Sequence, residues 1–168
     1  MARKVIKVKA TQQGIRDAIK QVRQYQDSVE WKTQLLVAKL AEIGVGLAQR
    51  NIQAYDAVFS GELLSSINFR QGTVFQYGAE WYVYTDCPWA AFVEFGTGYW
   101  GNMQSHPLAN EKGWKYDVND HGEKGWFYYK DGGWHWTNGM PARPFMLETA
   151  WDLAERVQEI AKEVFRYG

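Results

Sequence analysis

The chain has 168 residues, 46% of them apolar, and its 19 basic and 19 acidic side chains cancel at neutral pH. That length suits one domain, residues 1–168, with a real core, and the apolar content argues against wholesale disorder. The balanced charge argues against a general nucleic-acid or anionic-membrane role and leaves room only for a local basic patch.

The N-terminal MARKVIKVKAT is basic but is followed by no apolar run, so no secretory signal is expected. Val5, Ile6 and Val8 suggest a short opening strand. Thr11 stands as an N-cap, after which Ile15, Ala18, Ile19, Val22 and Tyr25 recur at helical spacing. Asp27 and Glu30 have the spacing of a capping box, which predicts either a second helix restarting there or one long, kinked helix. Leu36, Leu40, Ile43 and Leu47 then trace one stripe, widened by Val37, Ala41, Ala48 and Ile52. The stretch LLVAKLAEIGVGLA carries Lys39 and Glu42 and is too short to span a bilayer. With Cys87 as the only cysteine there is no intrachain disulfide framework, in keeping with folding in a reducing cytoplasm.

After Asp56 the pattern changes. SGELLSSINFR predicts a turn leading into a strand around Ser66 to Phe69, and TVFQYGAEWYVYTD is β-rich, with Gly78 as a turn or bulge. PWAAFVEF predicts a short helix from Pro88. Residues 96–124 show no period and read as a long loop; with the hairpin that follows they make an aromatic, glycine-rich insertion over 96–138.

Aromatic residues make up 16% of the chain, and eight of the nine tryptophans lie from Trp81 onward. In GWFYYKDGGWHWTNG, Asp131-Gly132 between aromatic runs predicts a two-residue hairpin turn. That register pairs Tyr129 with Trp134 and Phe127 with Trp136, which places all four on one face. Trp126, Tyr128 and His135 fall on the other. The four-aromatic face either covers the core or meets a neighbour, because a lone hairpin is marginal in water. Met146, Ala150, Leu153, Val157, Ile160 and Val164 predict a C-terminal amphipathic helix, with Asp152–Arg156 and Glu163–Arg166 as charge pairs along it. The expected class is α+β: a long N-terminal helix and a C-terminal helix packed on a small antiparallel sheet.

Catalytic and cofactor patterns are weak. GTGYWG at 96–101 spells G-x-G-x-x-G but lacks the flanking strand and helix of a dinucleotide site. His106, His121, His135, Cys87, Asp117 and Asp120 have no metal-ligand spacing, and no nucleophile elbow is present. Glu94 has no evident second carboxylate for hydrolysis. No cofactor, metal or catalytic residue is expected. The aromatic run does look like a single choline-binding repeat of cell-wall proteins. Such modules build each site from successive copies, and the only second copy here is GWKY at 113–116.

Three separated pieces, SGELLSSI (60–67), AAFVEFGTG (90–98) and GMPARPFMLETA (139–150), occur in the order found in a phage neck family. The chain resembles the small tail-completion or head–tail joining proteins of long-tailed bacteriophages, minor tail components with a Phe-Val-Glu-Phe-Gly-Thr segment and an Arg-Pro-Phe entering the last helix. The departure is the long, tryptophan-rich stretch from Tyr99 to Asn138. The resemblance implies a non-enzymatic assembly role at the head–tail junction of the virion, in a ring assembled in the bacterial cytoplasm. Its partners would be a head connector or tail terminator, with no membrane and no sequence-specific nucleic acid. Glu94, Phe95, Gly96, Thr97, Arg143, Pro144 and Phe145 carry the motif. Glu94 and Arg143 are expected to form a partly buried pair, Gly96 to end the short helix at positive φ, Pro144 to preset the last helix and Phe145 to plug the core. Phe127, Tyr129, Trp134 and Trp136 are the candidate protein interface.

Overall fold

Thr11 caps the first helix as expected: its hydroxyl accepts from the Gly14 amide at 3.0 Å, satisfying an otherwise orphan donor. Helix α1 then runs unbroken from Gln12 to Ala54, 43 residues. This is a computed structural model of the chain, and it describes residues 5–57, 61–75, 78–117, 120–121 and 124–166. Asp27 and Glu30 do not restart a second helix. They sit inside α1, where Glu30 accepts from Gln26 one turn earlier at 3.2 Å. Extending a formed helix adds one bond per residue, whereas a new start repeats the costly nucleation. Val5, Ile6 and Val8 form no strand, and Val5 and Val8 are exposed.

The remaining elements are α2 (Glu62–Ser66), β1 (Asn68–Phe75), β2 (Gly78–Tyr84), α3 (Ala90–Phe95), α4 (Gly98–Met103), β3 (Trp126–Lys130), β4 (Gly133–Thr137), β5 (Gly139–Met140) and α5 (Phe145–Arg166). The fold is α+β, and among the described residues its sheets are two two-stranded antiparallel ribbons, β1–β2 and β3–β4, in place of the single expected sheet, with β5 making only isolated bridges. The strand predicted from Ser66 starts later, because the Ser65 and Ser66 hydroxyls bond back to the carbonyls of Glu62 and Leu63 and close a helical turn. Gly78 opens β2, and residues 76–77 lie outside the described residues.

Two compact units are distinguished. One comprises Met1–Ile43, Phe69–Val83 and Leu153–Gly168; the other comprises Gly44–Asn68 and Tyr84–Asp152. In the first, Ala41, Ile160 and Val164 are buried, and Lys39 pairs with Glu163 at 3.1 Å. No side chain of α1 from Gln12 to Asp27 is buried, so the stripe of Ile15, Ile19 and Val22 faces solvent.

In the second unit, Leu47, Ala48 and Ile52 of α1 gather with Leu63, Ile67, Val93 and Phe145 in the core. Asp152 bonds Arg50 at 2.6 Å, and the buried Asn51 amide donates to Thr149 at 3.3 Å. Neither charge pair expected along α5 forms: Asp152 and Glu163 both reach α1 instead of their helical neighbours Arg156 and Arg166. A surface pair at helical spacing contributes only about 0.3–0.5 kcal/mol, so it yields readily to tertiary contacts.

Candidate functional site

The hairpin folds in the predicted register: Phe127 pairs with Trp136, Tyr128 with His135 and Tyr129 with Trp134. Asp131 and Gly132 both take positive φ, 51° and 80°, the requirement of a type I′ turn whose twist matches that of the strands. Phe127 and Trp136 meet edge to face with ring centroids 4.8 Å apart, and Tyr129 and Trp134 do the same at 5.5 Å. These rings do not cover the core of their own chain. Phe127, Tyr129, Trp134 and Trp136 are 60%, 63%, 70% and 53% exposed. On the reverse face Tyr128 lies beside His135, and the half-buried Trp126 stacks on His121.

The hairpin leads directly into the motif residues. Thr97 and Gly98 bridge Met140 and Gly139 in antiparallel fashion, and the Arg143 amide donates to the Val93 carbonyl at 2.9 Å. The second and third motif pieces therefore run side by side, backbone against backbone. This contact explains the glycines of GTGYWG. A β-carbon on Gly96 would sit 2.7 Å from the Ala142 nitrogen and one on Gly98 2.7 Å from the Asn138 carbonyl oxygen, while on the facing segment one on Gly139 would sit 1.9 Å from the Thr97 carbonyl oxygen. The glycines permit close packing, and residues 98–103 form α4 where the sequence suggested loop.

Glu94 does not pair with Arg143. Its Oε2 accepts from the Met146 amide at 2.8 Å, while its Oε1 accepts from the Leu147 amide at 3.1 Å and from His106 Nε2 at 3.1 Å. Met146 and Leu147 open α5, so the carboxylate caps that helix from another segment, where free amides and the helix dipole attract negative charge. The Leu108 amide donates to His106 Nδ1 at 3.0 Å, which places the ring proton on Nε2, facing Glu94. Burial pushes the Glu94 pKa up, with the Met146 and Leu147 amides and His106 pulling the other way.

Phe95 packs between His106 and Trp114, at centroid distances of 4.3 and 4.9 Å. Trp114 also donates to the Gly96 carbonyl at 3.0 Å. GWKY thus supplies a packing tryptophan, with no second hairpin around it among the described residues. Gly96 has φ of 79° and closes α3 as expected. Pro144 stands one residue before α5, its carbonyl accepting from Glu148 at 2.9 Å. Phe145 is 1% exposed, a core residue.

Arg143, relieved of Glu94, lines a cavity of about 780 Å³ together with the carboxylates Asp56 and Glu62 and the apolar Leu63, Trp89, Phe92 and Met140. All three motif pieces contribute to that wall. Among the described residues Arg143 makes no ion pair.

The histidines, Cys87, Asp117 and Asp120 do not converge: His106 is committed to Glu94, His121 to Trp126 and His135 to the Lys130 carbonyl. Among the described residues no group of three or more His, Cys, Asp or Glu could hold a metal ion, and no helix is long and apolar enough to cross a membrane. Glu94's partnership with His106 was beyond sequence reasoning, since residues 12 apart in a glycine-rich stretch share no period. No family model, curated protein or solved structure matches the chain.

Proposed function

We propose that the protein is a non-enzymatic assembly component of a phage neck, acting at the head–tail junction through protein–protein contacts, in a ring of identical subunits or on a connector or tail partner. The observation that carries this reading is the aromatic face. Phe127, Tyr129, Trp134 and Trp136 lie on one side of a hairpin and each is more than half exposed. A contiguous exposed patch of Trp, Tyr and Phe is what central interface contacts are made of.

The motif residues support it from a second direction. Their pieces, far apart in sequence, assemble into one wall: Leu63 and Leu64 from the first, Phe92 and Val93 from the second, Met140 and Arg143 from the third. Glu94 and His106, the buried titratable pair, are spent on holding α5. These residues make a scaffold that displays the hairpin.

The test is solution mass by light scattering, alone and with purified connector or tail-terminator rings. Concentration-dependent growth or stable co-elution is expected, with loss of both in the doubly substituted Trp134→Ser, Trp136→Ser protein. If choline or oligosaccharide instead quenches the tryptophan fluorescence saturably, and the double substitution abolishes that signal, the hairpin is a ligand platform and the assembly reading fails.

A further inference from the structure

Ile15, Val22, Val29, Leu36 and Ile43 fall at every seventh residue of α1, with Ile19, Leu40 and Leu47 in positions between them. A seven-residue apolar repeat marks a helix that packs along another helix. The later part of this stripe already has such a neighbour. Leu36, Leu40 and Ile43 are half-buried, and α5 meets α1 where Lys39 pairs with Glu163. The earlier part is open, with Ile15, Ile19 and Val22 each about half exposed. Residues 12–27 make about four turns, and Gly14 with three β-branched side chains makes them weak helix formers alone. Helices of that length are marginal in water and draw their stability from packing an apolar face.

We propose that residues 12–30 of α1 pair, antiparallel, with the same residues of a second copy of the chain. Charge selects both the occupant and its direction. At 3.6 residues per turn, Arg16, Lys20, Arg23, Asp27 and Glu30 share one flank of the stripe, while Gly14, Gln21, Tyr25 and Ser28 line the other. Lys32, on that second side, is buried in its own chain, and Asp17 lies on the reverse of the helix. Parallel pairing sets each charged flank against a neutral one. Antiparallel pairing brings the charged flanks together in opposite order, so the basic end of one copy meets the acidic end of the other. Arg16 then lies across from Glu30, and Lys20 beside Asp27, twice over by symmetry. Arg23 meets its own counterpart at the centre, where Asp27, one turn along each helix, offsets the repulsion. Among the described residues Arg16, Lys20, Arg23 and Asp27 form no ion pair within the chain.

This contact goes beyond the hairpin reading and does not rest on it, since the stripe and the hairpin belong to different compact units. It is isologous and closes at two copies. Contacts through the hairpin add mass above that dimer.

The experiment uses the full chain carrying Trp134→Ser and Trp136→Ser, so that the hairpin face is removed. Mass is followed by light scattering between about 10 μM and 1 mM, a range that reports weak but specific affinity. This protein is expected to hold the mass of a dimer without further growth. Adding Arg16→Glu, or adding Glu30→Arg, sets like charges across from each other twice and is expected to weaken dimerisation at least tenfold. The two added together exchange the signs and are expected to restore it. Adding Ile19→Ser with Val22→Ser removes the stripe and is expected to leave a monomer. All these side chains lie outside the core, and native-like circular dichroism is required of each protein.

A hairpin-substituted chain that stays monomeric throughout overturns the pairing, and so does a dimer that survives Ile19→Ser with Val22→Ser. Single charge substitutions without effect, or a combined form that fails to recover, also overturn it. The two readings fail separately. If the hairpin-substituted chain obeys these rules yet still grows past the dimer, the pairing stands and the hairpin reading falls. If wild type grows while the hairpin-substituted chain is a monomer, the reverse holds.

Discussion

Tyr129 and Trp134 face each other across the β3–β4 ribbon with their planes at 71°, and they are the two most exposed of the four rings on that face. Most of their surface rests on nothing within the chain, so the pair holds the hairpin together and little else. The double substitution Trp134→Ser, Trp136→Ser is therefore expected to lower global stability by only about 1 kcal/mol, the worth of the lost edge-to-face pairs. Thermal unfolding by circular dichroism checks it, and a loss of several kcal/mol would show that the rings belong to the core.

Glu94 is expected to be far more sensitive. Glu94→Gln keeps the shape but removes the charge and turns its NH2 toward one of the backbone donors, Met146 or Leu147, leaving an oxygen for the other. Charge-assisted bonds to a buried carboxylate are worth about 1.5–3 kcal/mol each, so a loss of at least 2 kcal/mol is expected in urea unfolding. Glu163→Gln, at the exposed pair with Lys39, should cost well under 1 kcal/mol.

The close approach of residues 96–98 to 138–142 gives a sharper contrast between two glycines. Gly139→Ala places a methyl 1.9 Å from the Thr97 carbonyl, and backbone on both sides must separate. Gly132→Ala meets nothing within 4 Å and bears only the strain of positive φ, about 1 kcal/mol. Gly139→Ala is expected to abolish cooperative unfolding of this unit, whereas Gly132→Ala should melt within a few degrees of wild type.

Tyr55 provides a pH signature. Burial, and next its hydrogen bond to Glu148, raise its pKa to about 12 from the usual 10. The folded state thus holds the phenolic proton more tightly than the unfolded state does. The resulting stability is complete below about pH 10 and disappears as pH climbs through about 12. Tyr55→Phe should be about 1–2 kcal/mol less stable than wild type at pH 8, with the gap closing between pH 10 and 12. A gap independent of pH would mean that the hydroxyl's bond to Glu148 contributes nothing.

Legibility followed the range of the interactions. The hairpin register, the Thr11 cap and the positive φ of Gly96 were readable because each depends on a few neighbouring residues. The β1 start was misread by two residues, since a serine-rich turn closed by its own hydroxyls resembles a strand entry. The charge pairs of α5 and the Glu94–Arg143 pair failed for another reason. Sequence spacing proposes the nearest opposite charge, while folding delivered Arg50, Lys39 and two free backbone amides from far along the chain. The cavity was not legible at all, because its wall draws on segments more than 70 residues apart in sequence.

The unburied start of α1 also has a mechanical consequence. From Gln12 to Ser28, where α1 becomes half-buried ahead of the buried Lys32, the helix is uninterrupted, roughly 24 Å at 1.5 Å per residue. A rod of that length converts angle into displacement, and a tilt of about 10° at its packed end moves the tip by roughly 4 Å. Where Ile15 and Val22 end up in space is thus governed by a few side chains beyond Asp27, so small changes around Lys32 would be amplified at the tip.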